Sequence, residues 1–346
     1  MGKLTASVIG LGMGRAHIRG YQTHPEVDVI GIVDTDEGRL NLVGDEFGIN
    51  ERFSTVEDMF ASRAPDIVSI AVPNLYHKPL TMLALEHGAH VLCEKPMATN
   101  TADAQEMLDA ASKAGKRLMI NFNNRFTSQS QALKREVDSG TLGEIYFGRT
   151  VWHRRRGIPK FGGWFGKKEI SGGGPLIDLG VHRLDLALWL MGYPEPDWVL
   201  GATYDPIAKR LADEAGIDYS VEDLAVAFIR FKNGASLVVE ASWASHIAET
   251  ELMITRLFGS KAGLVQRNTA QGYEFEAELY LERGGSLYDM RLGRTSPKAV
   301  SSMEHFAEAI LSDKPHIATG EEGVVVMKLL DAIYESADTG KPVRIG

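Results

Sequence analysis

The stretch "VIGLGMGRAHI", Val8 to Ile18, decides the fold of this chain. An apolar run, "TASVIG", leads into it, and a run that reads as helix leads out. Glycines stand at Gly10, Gly12 and Gly14. In a strand–turn–helix unit the first glycine permits a tight turn, and the second lets the backbone approach a pyrophosphate at the helix N-terminus. The third position of G-x-G-x-x-G falls on Arg15, with Gly14 one residue early, so the pattern departs from the usual one there. A glycine turn by itself can be a ligand-free bend. The context favours a dinucleotide, because the next strand signal, "VDVIGIVD", ends in Asp34, twenty residues after Gly14. A carboxylate at that place accepts hydrogen bonds from an adenosine ribose and repels a 2′-phosphate. The reading is NAD, with NADP as the alternative and Arg39 as the residue that would reach a phosphate.

Further along the chain, "DIVSIAV", "HVLCE" and "RLMIN" repeat the short apolar strand signal, with helical stretches over 76–87 and 101–113 between them. Continuous apolar strands alternating with helices predict a parallel sheet covered on both faces, a doubly wound α/β domain over residues 1–122. Beyond it the pattern changes. After a helix ending near Gly140 come longer strands, "EIYFGRTVWHR", "DLAVAFIRF", "ASLVVEASW", "ETELMITRLFG" and "YEFEAELYLER", with Asn233-Gly234 signalling a type I′ hairpin. Residues 123–346 are therefore expected to form an α+β domain with a large open, mainly antiparallel sheet. Two C-terminal helices are expected to pack back on the first domain. The outer sheet face, with Phe228, Val238 and Trp243, reads as a surface for a homodimer or homotetramer.

Composition narrows the functional classes. The chain has 346 residues, 44% hydrophobic and 24% charged, with a formal net charge of -9. That balance argues against a nucleic-acid or anionic-membrane binder, whose footprint is basic. One cysteine, Cys93, excludes an internal disulfide framework and fits a reducing cytoplasm. No apolar run approaches the ~18 residues of a membrane span.

Two further stretches carry chemistry. "HVLCEKPMATN" places Glu94-Lys95-Pro96 at a strand's carboxyl end, where open α/β sheets bind ligands. A bare surface turn is the plain alternative, but an ammonium emerging from an apolar strand can stabilise a developing alkoxide. "SGGGPLIDLGVHRLDLALWLMG", Ser171 to Gly192, carries Asp178 and His182 at i and i+4 on one helix face, with Asp185 three further. The helix is too apolar to be exposed, so the stripe should line a cleft. His182 can take a hydroxyl proton while Asp178 orients its ring. A metal at this pair ranks below that reading, because no further His or Cys cluster stands at ligand spacing. Glycines 172–174 are expected to let backbone and ligand approach, and Asp185 to pair with Arg183 or a neighbouring strand. Ahead of this helix, Trp152, Arg154 and Arg156 alternate on one strand face and, with Trp164, form either a substrate wall or a solvated edge. Asn121, Asn123 and Arg125 follow the sixth strand and are expected to face the crevice.

With "GLGMGRAH" (10–17), "AVPNLYH" (71–77), "EKP" (94–96), "GTLGEI" (140–145) and "GGGPLIDLGVHRLD" (172–185) in this order, the chain resembles the Gfo/Idh/MocA oxidoreductases. The resemblance implies a Rossmann domain followed by an open-sheet α/β domain. It implies reversible hydride transfer between a nicotinamide and a secondary alcohol of a sugar or polyol. Lys95, Asp178 and His182 would be catalytic. The cofactor would be held by Gly10, Gly12, Met13, Gly14, Asp34, Arg39, Ala71, Pro73, Asn74, His77, Glu94, Lys95 and Asn123. The substrate would meet Lys95, Asn121, Arg125, Trp152, Arg154, Arg156, Trp164, Asp178 and His182. Two alternatives stand beside a dehydrogenase. One is a redox-neutral enzyme that cleaves glycosides through a 3-keto intermediate. The other is a non-catalytic dinucleotide sensor, which would be expected to lack Lys95 or His182.

Overall fold

The computed structural model describes residues 2–159, 161–293 and 300–346. The chain divides into two compact units, Met1–Phe122 with Val300–Met327, and Asn123–Ala299 with Lys328–Gly346.

In the first unit, β1 (Leu4–Ile9), β2 (Val27–Val33), β3 (Arg52–Phe53), β4 (Ile67–Ile70), β5 (His90–Cys93) and β6 (Leu118–Ile120) pair in the order β3-β2-β1-β4-β5-β6. Every neighbouring pair is parallel. Val8, Ile67, Val68, Val91 and Leu92 are fully buried, as strands covered on both faces require. The helices α1 (Gly14–Gln22), α2 (Glu37–Phe47), α3 (Val56–Ser62), α4 (His77–Glu86) and α5 (Thr101–Ala114) make the crossovers. The strand order reverses between β1 and β4. In such sheets the ligand crevice opens at that switch point, outside the carboxyl ends of the strands.

The second unit contains α6 (Ser128–Asp138), β7 (Ile145–Arg154), α7 (Lys168–Ser171), α8 (Val181–Met191), β8 (Pro196–Tyr204), α9 (Pro206–Ala215), β9 (Leu224–Phe231), β10 (Ser236–Ser242), β11 (Glu251–Gly259), β12 (Ala262–Thr269), β13 (Glu274–Arg283) and β14 (Ser286–Arg291). With β15 (Val343–Arg344) they build a nine-stranded sheet in the order β14-β13-β12-β11-β7-β10-β9-β8-β15. Its neighbours are antiparallel except β7 and β10, which run parallel. Alternation along β9 buries Ala225, Ala227, Ile229 and Phe231 and leaves Val226 and Phe228 half-buried on the other face. Trp243 does not share that outer face. It is wholly buried in a cluster with Trp152, Leu179, Val221 and Met253.

The β9–β10 hairpin forms, but its turn is not type I′. That turn needs positive φ at both central residues, and here Gly234 alone has it, at 89°. The Gly234 N–H donates to the Phe231 carbonyl and the Phe231 N–H to the Ala235 carbonyl, the pattern of a type I turn followed by a glycine bulge.

The chain then returns to the first unit. α10 (Ser302–Leu311) starts in a capping box of Ser301 and Glu304 and packs on α1, where a Cβ on Gly20 would stand 3.0 Å from Met303. The Ile120 N–H donates to the Ala318 carbonyl beside β6, and α11 (Gly320–Thr339) follows. No helix among the described residues is long and apolar enough to cross a membrane.

Candidate active site

The glycine turn is built as the opening stretch implies, with one reassignment. Gly10 has φ +85°, and a Cβ there would meet the Ala71 carbonyl oxygen at 2.4 Å. A Cβ on Gly12 would meet nothing within 4 Å, so the turn is open on that side. α1 begins at Gly14, where a Cβ would stand 2.8 Å from Val8 Cγ1. Gly14 therefore supplies the close helix–strand contact that the usual motif assigns one residue later, and the early glycine is no defect. Met13 beside it is exposed. At the end of β2, Asp34 is buried and accepts the Leu11 N–H at 2.8 Å and the Asp36 N–H at 2.9 Å. Arg39 Nη1 donates to both Asp34 oxygens, at 3.2 and 3.0 Å, and Nη2 reaches Asp36 at 3.1 Å. A guanidinium anchored on two carboxylates is compensated, which disfavours a second phosphate beside it. An open glycine turn and a strand-end acid fit the pyrophosphate and the adenosine ribose of a dinucleotide.

After β4, Ala71, Pro73 and Asn74 form the neighbouring edge of this turn, Ala71 and Asn74 buried and Pro73 partly so. His77 corrects the sequence reading. It is fully buried, with Nδ1 2.7 Å from the Pro96 carbonyl and Nε2 3.0 Å from the Val72 carbonyl. Burial lowers its pKa against the pull of those carbonyls. The ring pins two loops together and has no free edge for a cofactor.

Glu94 and Lys95 leave the end of β5. Glu94 Oε1 is 2.8 Å from His17 Nε2 and accepts the Asn121 amide at 2.7 Å, while Oε2 accepts the Lys95 N–H at 3.2 Å. Burial works against this carboxylate's charge, but His17, Asn121 and the Lys95 ammonium outweigh it and hold the pKa below the ordinary glutamate value. Asn121 is buried, and its Oδ1 accepts the Ser302 hydroxyl at 2.7 Å, so it supports Glu94 rather than meeting a substrate. Asn123 is exposed at the start of the second unit. The sequence reading passed over His17. The signal was its place with Gly14, Ile18 and Tyr21 on the buried face of α1.

In the second unit the quoted helix begins with a π-helical turn, Leu176–Gly180, and continues as α8. Such turns insert an extra residue and concentrate at functional sites. Asp178 lies in the π turn and accepts the Trp243 indole N–H at 2.9 Å. His182, in the first turn of α8, is 8% exposed and lies against Trp152, ring centroids 5.5 Å apart. The Trp152 indole N–H donates to Glu251 at 2.7 Å, and the same carboxylate oxygen takes Arg154 Nε at 2.9 Å and the Tyr273 hydroxyl at 3.1 Å. Burial opposes the Arg154 charge, yet Glu251, Tyr273 and Asp178 raise its pKa above the ordinary guanidinium value. Trp164 stacks on Phe165 at 3.8 Å, and Phe165 meets Trp243 edge-on at 6.3 Å. Acid, imidazole and guanidinium thus share one aromatic wall, and Glu251 and Tyr273 join it without a local signal in the sequence. Arg156 does not share the strand face of Trp152 and Arg154. β7 ends at Arg154, and Arg156 is exposed near His246.

Three expectations for this helix are corrected. The glycine run serves internal packing: a Cβ on Gly173 would stand 2.1 Å from Tyr334 Oη, and one on Gly174 2.2 Å from the Glu222 carbonyl oxygen. The buried Glu222 carboxylate accepts the N–H groups of Gly174 and Leu176 and the Tyr334 hydroxyl, and so fastens the start of the π turn. Asp185 pairs with Arg125, both wholly buried, through bonds of 2.9 and 2.5 Å that Tyr193 completes. Arg125 is therefore a core residue and not a substrate ligand. Arg183 instead donates to Gln266 at 2.9 Å, between the rings of Trp152 and Phe275, and burial lowers its pKa to about 9.

The parallel sheet, the glycine turn and the acid after β2 define the class, an NAD-binding oxidoreductase. Residues 4–122 match the model for the oxidoreductase family's NAD-binding Rossmann fold, and residues 134–345 match its C-terminal alpha/beta domain. The chain belongs to the Gfo/Idh/MocA oxidoreductase family. It is 33% identical to D-glucoside 3-dehydrogenase of Escherichia coli over 99% of this chain and 97% of that one. Among solved structures it is similar to aldose-aldose oxidoreductase from Caulobacter crescentus complexed with glycerol, at TM-score 0.84 and 28% identity over 99% of each chain. It is also similar to GenD2 from gentamicin A biosynthesis in complex with NAD, at TM-score 0.82 and 25% identity over 100% of this chain and 97% of that one.

Proposed function

We propose that this enzyme oxidises a ring secondary hydroxyl of a sugar or glycoside, with NAD as the hydride acceptor. The observation that carries the reading is the placement of His182 and Asp178 beside the partly exposed Trp164 and Phe165, backed by the buried Trp152 and Trp243, because exposed aromatic faces stack on sugar rings while polar groups select their hydroxyls. The likeness to a glucoside 3-dehydrogenase supports the same substrate class.

The roles follow from the chemistry of each group. His182 takes the hydroxyl proton as general base, and Asp178 stabilises the imidazolium that results. Lys95 donates to the substrate oxygen and stabilises its developing charge. Gly12 and the N-terminus of α1 would hold the pyrophosphate, and Asp34 would take the adenosine ribose. Bound NAD supplies the acceptor for the hydride that leaves the carbon. Arg154 and Trp152, fixed by Glu251, orient the sugar ring. In this reading the enzyme works in the reducing cytoplasm, and the outer sheet face carrying Phe228 and Val238 joins two copies.

The test is a panel of methyl glucosides, free aldoses and myo-inositol with NAD, following 340 nm absorbance and free-sugar release together. Net NADH from a sugar or glucoside supports the proposal. Sugar release without net NADH replaces it with the redox-neutral glycoside-cleaving reading. Neither signal with any compound favours a sensor. Light scattering on the same sample reads the copy number, and a monomer at micromolar protein overturns the pairing of sheets.

A further inference from the structure

We propose that His17 is a positioning residue for Lys95, acting through Glu94. The inference rests on the reading that Lys95 stabilises the substrate oxygen.

His17 is 0% exposed on the inner face of α1, and Nε2 lies 2.8 Å from Glu94 Oε1. Among the described residues Nδ1 has no hydrogen-bond partner. The short contact of Nε2 is to this one carboxylate oxygen, with the Asn121 amide farther off at 3.4 Å. That oxygen also accepts Asn121, whose own oxygen is held by Ser302 from the returning segment, so His17, Asn121 and Ser302 fix one edge of the carboxylate. The other edge, Oε2, accepts the Lys95 N–H at 3.2 Å. The two oxygens cannot move independently. Locking Oε1 therefore fixes the backbone from which the Lys95 side chain departs. Cys93, immediately before this pair, is wholly buried in β5, so the strand end supplies a rigid base for the lever. Without His17, Asn121 alone holds Glu94 Oε1, the carboxylate gains freedom to rotate, and Lys95 loses its register. A displacement on the order of 1 Å at a reacting group lowers a rate by about 10²-fold.

The experiment is a double-mutant cycle in the full-length enzyme. Single-turnover NADH formation from methyl β-D-glucopyranoside and NAD is measured for wild type, His17→Phe, Lys95→Ala and the double variant. His17→Gln serves as rescue, since its amide N–H takes the place of Nε2–H. The expected result is a fall of about 10²-fold for His17→Phe with NAD affinity little changed, no further fall in the Lys95→Ala background, and recovery in His17→Gln. Effects that multiply instead of overlapping overturn the proposal. A Lys95→Ala variant with wild-type turnover, or a wild type inactive on this glucoside, counts against the parent reading of the reaction rather than against the relay. Amide hydrogen exchange at Lys95 tests the relay without any substrate. His17→Phe should lose about tenfold of protection there while β1 and β4 keep theirs, and His17→Gln should not. Unchanged protection at Lys95 in His17→Phe overturns the relay even if activity falls, and loss of protection throughout β1 and β4 shows that His17 serves stability alone.

Discussion

Glu222→Gln most sharply tests how the second unit holds the π turn that carries Asp178. Glu222 is 8% exposed. Oε1 accepts the Leu176 N–H at 3.1 Å and the Tyr334 hydroxyl at 2.9 Å, and Oε2 accepts the Gly174 N–H at 2.9 Å. Glutamine keeps one oxygen. Its best orientation leaves that oxygen where it serves two donors and turns the amide NH2 toward the Gly174 N–H, so a donor faces a donor. One unsatisfied buried N–H costs about 1–3 kcal/mol. Part of that is offset, because a buried charge disappears.

The pH dependence separates these two effects. Burial raises the Glu222 pKa above the ordinary glutamate value, against the pull of its three donors. Between the ordinary value and the raised one, the folded state holds more protons than the unfolded state, so the Glu222 contribution falls as pH rises. It is largest below the ordinary value and smallest above the raised one. Glutamine has no such dependence. The stability gap between wild type and Glu222→Gln should therefore widen as pH falls through this window, by about 1.4 kcal/mol for each unit of the raised interval crossed. Urea denaturation followed by tryptophan fluorescence reads this cleanly, because all five tryptophans lie in the second unit. A gap that stays constant or narrows on acidification would falsify the assignment of Glu222 as a buried acid strained by its site.

Three further outcomes follow from the geometry. Gly14→Ala should destabilise the first unit by about 1–3 kcal/mol, since its Cβ would stand 2.8 Å from Val8 Cγ1; hydrogen exchange of the β1 amides measures this, and unchanged protection refutes the contact. Asp34→Ala removes the partner of both the Leu11 N–H and Arg39, so NADH affinity should fall and NADPH affinity should rise relative to it; fluorescence titration with both reads the ratio, and a wild type that already prefers NADPH contradicts the assignment. His182→Ala should lower kcat by roughly 10²–10⁴ with NAD binding near normal; near-wild-type turnover with an unchanged pH profile would move the base to Lys95 or the segment 152–164.

What the sequence made legible was local. Asp34 could be read because strand, turn and acid lie within thirty residues and each has its own periodic signal. Asp178 and His182 could be read together because four residues separate them in one apolar stretch, but the π turn that divides Asp178 from α8 has no such signal. The partners that fix these groups come from far along the chain. Arg125 meets Asp185 sixty residues away, Gly174 meets Glu222 forty-eight away, and Asn121 meets Ser302 one hundred and eighty-one away. No periodicity links such pairs, so the sequence reading sent Arg125 and Asn121 to the substrate.

The glycine run before α8 shows how the same residue type serves two opposite ends. Gly12 leaves space that nothing in the protein fills, whereas Gly173 and Gly174 leave space that Tyr334 and Glu222 fill completely. Both patterns read as close backbone approach, and the sequence cannot say whether the approaching group is a ligand or the protein itself. The distinction decides how each site tolerates change. A Cβ on Gly12 meets no described protein atom within 4 Å, so the protein itself does not resist that change. Enlarging Gly173 would drive Tyr334 off Glu222, loosen the N–H groups of Gly174 and Leu176, and release the π turn, so the change would reach Asp178 through one buried carboxylate.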